Sequence, residues 1–358
     1  MDWLWKRTRQ ESPERIAIES AGGDGIADII AALPDPALIL DPLLNVTAGN
    51  ALARTVLEFD PVGRHLSAAI RAPAVLDAAK AALTGHDPVH VDYDVPAPVQ
   101  RTFSAHIAAI GSTGALLIVL RDLTREQQIE RMRADFIANA SHELRTPLAA
   151  LSGFVETMQG AAKGDAEAAE RFLDLMRGQA ERMKRLIDDL LSLSRIEMNE
   201  HLRPSASVDL GRATRHAADA MSEIAKAEGC ELRISIEEPL VVTGNWDELV
   251  QVMQNLIENA LKYGGSGKLI EIEGRAANGM AEISVRDHGP GIAAEHIPRL
   301  TERFYRVSVN ESRQRGGTGL GLAIVKHILN RHEGRLTIQS APGKGSRFSV
   351  QLPLRSNK

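Results

Sequence analysis

Four short stretches of this 358-residue chain hold the residues that could do chemistry together. In Asn255-Leu256-Ile257-Glu258-Asn259-Ala260-Leu261-Lys262-Tyr263, the spacing puts Asn255, Asn259 and Lys262 on one face of a helix. Two amides and an ammonium on one stripe suit a metal-bound polyphosphate, since an amide oxygen is a hard ligand for Mg2+ and an ammonium attracts phosphate. Taken alone, the same stripe is also what an amphipathic helix with a solvated face looks like. In Asp287-His288-Gly289-Pro290-Gly291, Asp287 ends a strand, and Gly289 and Gly291 let the backbone approach a flat ring closely. A carboxylate there can accept a hydrogen bond from an exocyclic amine, although an isolated Asp-x-Gly is usually just a turn.

The third stretch, Gly316-Gly317-Thr318-Gly319-Leu320-Gly321-Leu322, runs into an apolar helix start at Ala323. Backbone N–H groups of a glycine-rich loop and the positive end of a helix together attract phosphate. It is not a P-loop: Gly267-Lys268-Leu269 and Gly343-Lys344-Gly345 lack Ser or Thr after the lysine, and the glycine spacing is not the dinucleotide fingerprint. Eukaryotic-type kinase signatures are absent.

The fourth stretch, Ser141-His142-Glu143-Leu144-Arg145-Thr146-Pro147, lies far upstream. A neutral imidazole has a free lone pair on one ring nitrogen, so His142 is a usable nucleophile. Glu143 can accept a hydrogen bond from the other ring nitrogen, fixing the tautomer and offsetting developing positive charge. Helix neighbours do not face one another, so that contact needs side-chain reach or bending. Pro147 supplies a reason to bend, because it has no N–H for the Glu143 carbonyl. Thr146, four residues on, shares the face of His142. A lone helical histidine is more often structural than catalytic; the surrounding block, with Phe136 before it and Leu148 after it, argues the other way.

Together and in this order the four stretches resemble the sensor histidine kinases of two-component systems, over about two thirds of the chain from Arg125 onward. In layout the chain is similar to the phosphate-regulon sensor kinases. The resemblance implies that His142 is the phospho-acceptor, with Glu143 as general base, and that Thr146 helps orient water when a phosphorylated partner is dephosphorylated. It assigns Asn259 to Mg2+, sets Asn255, Lys262 and Tyr263 beside ATP, and makes Asp287, with Gly289 and Gly291, the reader of the adenine amino group. The segment between Asp287 and Gly316, with Phe304-Tyr305-Arg306, resembles the family's mobile ATP lid, and Phe304, Arg306, Gly317, Thr318, Gly319, Leu320 and Gly321 are expected to bind ATP. Where the family commonly has Asp at the entry to the Asn-bearing helix this chain has Asn245, which can still cap it.

The elements that must position these residues form a multidomain α+β chain. Residues 1–24 are expected to be an N-terminal tail, 25–123 a PAS-like mixed α/β sensor domain, 124–203 a signalling helix and phospho-acceptor hairpin, and 204–358 an ATP-binding α/β sandwich. In the first third, Ala37 to Asp41 reads as a strand, 50–57 as a helix, and Arg101 to Ile110 with Ala115 to Arg121 as a strand pair. Leu33-Pro34-Asp35-Pro36 and Arg121-Asp122-Leu123-Thr124 are similar to the entry and exit of a PAS domain. Ile129, Met132, Phe136 and Ala140 make an apolar stripe, and 166–197 carries Phe172, Leu175, Met176, Met183, Leu186, Leu190 and Leu193. Two such helices cannot close a core alone, whereas two copies make a four-helix bundle, so a homodimer is expected.

The net charge of -5 gives no basic footprint, which disfavours direct nucleic-acid binding. The only cysteine, Cys230, cannot form an intrachain disulfide, and no run of about 18 apolar residues could span a bilayer, so a cytoplasmic setting is expected. Trp3, Leu4 and Trp5 beside Lys6, Arg7 and Arg9 suit a weak membrane-surface contact, though such a stretch is more commonly frayed or packed on a partner. His65, His86, His90 and His106 are residue types that ligate haem, yet solvated or structural histidines are commoner; the sensor ligand stays unassigned. The expected reaction is autophosphorylation of His142 from Mg-ATP and transfer to an aspartate of a response regulator. Its rivals are a plain ATPase of the gyrase and Hsp90 type and a non-catalytic signalling scaffold.

Overall fold

The computed structural model describes residues 28–85, 87–96, 100–111, 114–161, 163, 165–237, 239–264, 268–308 and 317–355; the expected tail at 1–24, with its tryptophans, and Gly316 and His86 lie outside them. The chain divides into two compact units, Met1–Asp135 and Phe136–Lys358.

The first unit is built on a five-stranded antiparallel sheet in the order β2-β1-β5-β4-β3. Its strands are β1 (Ala37–Leu40), β2 (Val46–Gly49), β3 (Val89–Val95), β4 (Arg101–Ile110) and β5 (Ala115–Asp122). Alternation along β4 and β5 turns Phe103, Ala105, Ile107, Leu116, Ile118 and Leu120 onto one buried face. There they pack with residues of α1 (Ala51–Leu57), α2 (Leu66–Ala69) and α3 (Pro73–Gly85). Each large side chain so buried contributes roughly 1.5–3 kcal/mol. Asn50 is buried without cost: its Oδ1 accepts from Ala53 N and Ala37 N, and its Nδ2 donates to the carbonyls of Ile30 and Asp35. The opposite face carries Ala37 and Ile39 against Ile30, with Leu117, Val119 and Ile110 beside them.

The sheet passes directly into α4 (Thr124–Gln159). Thr102 N–H on β4 donates to Thr124 Oγ1, Leu123 N–H donates to the Thr102 carbonyl, and Thr124 N–H donates to Asp122 Oδ1.

The second unit holds the paired helix α5 (Ala166–Met198), N-capped by Asp165 accepting from Ala168 N–H. Helix α4 runs through Pro147, which is buried. Many apolar residues of the two helices are exposed within one chain, among them Ile137, Leu148, Leu173, Leu175 and Leu191, each at least half exposed. The rest is a sheet in the order β11-β12-β10-β9-β7, from β7 (Glu231–Ile236), β9 (Leu269–Ala277), β10 (Met280–Asp287), β11 (Arg335–Ser340) and β12 (Ser346–Pro353). Only β7 and β9 are parallel in it. Helices α6 (Leu210–Ala227), α7 (Trp246–Gly264) and α8 (Gly321–Arg331) share a core with its buried face, and β6 (Ser207–Asp209) pairs with β8 (Val241–Thr243) alongside. Among the described residues no helix is long and apolar enough to cross a membrane.

Within the first unit, β2, α2, α3 and β3 were not among the elements expected from the sequence. β2 is four residues with a Thr and a Gly, and β3 sets His90, Asp92 and Asp94 on its open side, so neither reads as an apolar strand.

Candidate nucleotide and phospho-acceptor site

Helix α7 has two jobs on two faces. Leu249, Val252, Met253, Leu256, Ile257 and Ala260 are buried in the core, while Asn255, Glu258, Asn259, Lys262 and Tyr263 line a cavity. The helix is aimed by its N-terminus: Asn245 Oδ1 accepts from Glu248 N–H, and Asn245 N–H donates to His332 Nε2. His332 in turn donates from Nδ1 to the Ile328 carbonyl, so its neutral tautomer is fixed. Burial pushes its pKa below the ordinary imidazole value. Lys262 Nζ is paired with Glu258 Oε1 at 2.7 Å.

The other walls are Asp287, Gly291, Arg306, Gly317, Thr318, Gly319 and Gly321. Asp287 closes β10 and is 5% exposed. Its Oδ1 accepts from Gly289 N–H at 2.9 Å and from Ser346 N–H, so the carboxylate is oriented, and burial raises its pKa against those bonds. Gly291, at φ 70°, is obligatory because a Cβ would collide with the Ala341 carbonyl. Gly319, at φ 74°, lies so near Phe304 that a Cβ would sit 2.9 Å from its backbone.

The cavity brings together Asn255, Asn259, Lys262, Tyr263, Asp287, Gly291, Arg306, Gly317, Thr318, Gly319 and Gly321. Gly289, Phe304 and Leu320 do not line it. Gly289 packs on the backbone of Gly264, and Leu320 is fully buried in the core. Phe304 takes φ 63°, donates its N–H to the Gly319 carbonyl and sets its ring 5.9 Å from Phe136.

The hairpin supplies the remaining wall through Arg185, Asp188 and Asp189, which sequence reasoning did not single out. Asp189 Oδ2 accepts from Thr318 Oγ1, and burial raises its pKa, reinforced by Glu258 and opposed by Thr318 and Lys262. Glu143 Oε2 accepts from Arg182 Nη2 at 3.1 Å and from Arg306 Nη2 at 3.0 Å. Arg306, 5% exposed in its side chain, also donates to the Thr318 carbonyl. Its buried Nε–H has no hydrogen-bond partner among the described residues. Arg306 lines the cavity, and its guanidinium supplies positive charge that suits an anionic group such as a phosphate.

His142 is exposed and does not line the cavity. Thr146 Oγ1 donates to the His142 carbonyl at 3.2 Å.

A helical hairpin bearing the histidine block, joined to an α/β domain with this cavity, defines a protein histidine kinase. Residues 132–199 match the His Kinase A (phospho-acceptor) domain, and residues 244–356 match the histidine kinase-, DNA gyrase B- and HSP90-like ATPase. The chain is 38% identical over 339 residues to the phosphate regulon sensor protein PhoR of Pseudomonas aeruginosa, covering 92% of this chain and 74% of that protein. It therefore belongs to the sensor histidine kinases. It is also 35% identical over 253 residues to the sensor protein kinase WalK of Staphylococcus saprophyticus, spanning 70% of this chain and 41% of that one. A crystal structure of histidine kinase ThkA in complex with response regulator protein TrrA shares the fold at 18% identity and a TM-score of 0.50, over 92% of this chain and 98% of that one.

Proposed function

We propose that the chain works as a homodimer, binds Mg-ATP in the cavity, phosphorylates His142 and passes the phosphoryl group to an aspartate of a separate response regulator. The observation that carries this is the convergence of Asn255, Asn259, Lys262, Asp287 and the Gly317–Gly321 loop on one cavity in a unit that also bears the histidine block. Asn259 is the residue we assign to Mg2+, which when bound neutralises triphosphate charge. Lys262 and Arg306 attract the phosphates, and Asp287 accepts from the adenine amine. In the transfer, a lone pair of the His142 ring forms the P–N bond as the bond from the γ-phosphorus to its bridging oxygen breaks, and ADP leaves with that electron pair. The remaining ring proton is held by Glu143, which must first leave Arg182 and Arg306. Because His142 is outside the cavity, hairpin and ATP-binding domain must rearrange for the step.

The exposed apolar residues of α4 and α5 support a four-helix bundle between two copies. The sheet order of the first unit supports the PAS reading. Thr146 is assigned to dephosphorylation of the response regulator.

Incubation with γ-labelled ATP tests the reading. The expected product is an acid-labile, base-stable phosphoprotein, lost in His142→Ala with ATP affinity retained. Phosphate release without protein label would instead identify a plain ATPase, and neither product a scaffold.

A further inference from the structure

His90 on β3 and His106 on β4 are direct cross-strand partners. The rings face each other with centroids 4.3 Å apart and planes tilted by 46°, and His106 Nδ1 lies 3.0 Å from His90 Nε2. β3 is an edge strand, and the pair is open to water, His90 exposed and His106 half-buried. Neither ring takes part in the buried core of the unit or in any step of the phosphoryl transfer.

The present contact between the two nitrogens needs one shared proton. Two lone pairs held at that separation also make a chelate. With metal–nitrogen bonds of about 2.0–2.1 Å, the observed separation corresponds to an N–metal–N angle of roughly 95°. That is near the right angle of tetragonal coordination and well short of the tetrahedral angle, which favours Cu2+ and Ni2+ over Zn2+. Chelation takes no net proton from the neutral pair, because the ring that donates can carry its proton on the remote nitrogen. The backbone ladder fixes both Cα positions, so little ordering is needed on binding.

We propose that His90 and His106 form a bidentate site for a divalent transition cation of tetragonal preference, Cu2+ foremost, on the open face of the first unit's sheet. Among the described residues no group of three or more His, Cys, Asp or Glu is arranged around a metal, so water completes the coordination. Asp92, two residues from His90 and on the same side of β3 by strand alternation, gives the face a carboxylate that favours a cation. Asp94 is engaged with Thr102 Oγ1.

The test uses the full, tag-free chain stripped of metal. Cu2+ is titrated by calorimetry, and the bound ion is read by electron paramagnetic resonance. One saturable equivalent with two equatorial imidazole nitrogens is expected, with affinity falling about tenfold or more in His90→Ala and in His106→Ala, and unchanged in the control His201→Ala. Melting curves without metal show that each variant is folded. A double variant that binds as tightly as the parent would overturn the proposal, as would a spectrum without two imidazole nitrogens or the lack of any saturable equivalent.

Discussion

Thr318 donates its hydroxyl hydrogen to Asp189 at 2.6 Å, tying the glycine-rich loop of the nucleotide cavity to a helix of the hairpin. The carboxylate sits where the loop would meet phosphate, desolvated and close to Glu258, with Lys262 as the opposing cation. Removing its charge while keeping an acceptor for Thr318 should favour a polyanion. Asp189→Asn is expected to tighten ATP binding about fivefold, on the order of 1 kcal/mol of relieved repulsion, and to leave adenosine binding unchanged. Titration of both ligands into parent and variant checks this; a weaker ATP complex would show that Asp189 assists the bound nucleotide.

Glu143 is held between two guanidinium groups, Arg182 and Arg306. If it serves as the base for His142, Glu143→Gln should slow autophosphorylation by about 100-fold with ATP affinity retained. Arg182→Gln removes one of the two cations and should speed the reaction by about threefold, because Glu143 leaves its resting contacts more easily. Single-turnover labelling at saturating ATP separates the two. A slow Arg182 variant would mean that the ion pair belongs to the active arrangement.

Thr146 lies one turn from His142 and spends its proton on the His142 carbonyl, which leaves its oxygen lone pairs free to receive a water. Thr146→Ala should therefore keep most autophosphorylation and lose most dephosphorylation of the response regulator, while Thr146→Ser keeps both. Phosphate loss from a labelled regulator is the readout, and equal loss with Thr146→Ala would remove this role.

His327 and His332 are both pushed below the ordinary value of 6.5 by burial. The folded form binds these protons less readily than the unfolded chain, so their contribution to stability is complete above 6.5 and is lost as pH falls from there through the lowered values. Asp189 and Asp287, raised by burial, have the opposite slope, contributing most at acid pH and losing that as pH rises through their raised values. The histidine window lies nearer neutrality. Melting temperature should drop between pH 7.5 and pH 5.5, and an NMR titration should find His332 taking up its proton only below the ordinary imidazole value. A titration of His332 at the ordinary value would contradict its observed packing.

The Asn255, Asn259 and Lys262 stripe was legible because helical spacing alone decides which side chains share a face, and α7 runs through all three without a break. Asp287 and the glycine loop were legible as local motifs. Asp189 was not: Thr318 lies 129 residues away, and their contact exists only once the hairpin docks on the ATP-binding domain. The same holds for Arg182, whose partner Glu143 is 39 residues distant on the other helix. Conversely, Leu320 and Phe304 lie within nucleotide motifs, yet the chain uses Leu320 to fill the core and Phe304 to hold Gly319. A motif marks a neighbourhood, and only packing decides which of its members face inward.

The division of α7 into a core face and a cavity face makes nucleotide occupancy and folding one equilibrium. A ligand that contacts Asn255, Asn259 and Lys262 braces the same backbone that carries Leu249, Met253 and Leu256, so unfolding requires its release. At a free concentration 100 times its dissociation constant, such a ligand adds about 2.7 kcal/mol to the domain. In a cell rich in ATP, the domain's lifetime is therefore set partly by its own substrate. A core substitution on α7 that looks harmless with nucleotide present would emerge as instability when the nucleotide is withdrawn.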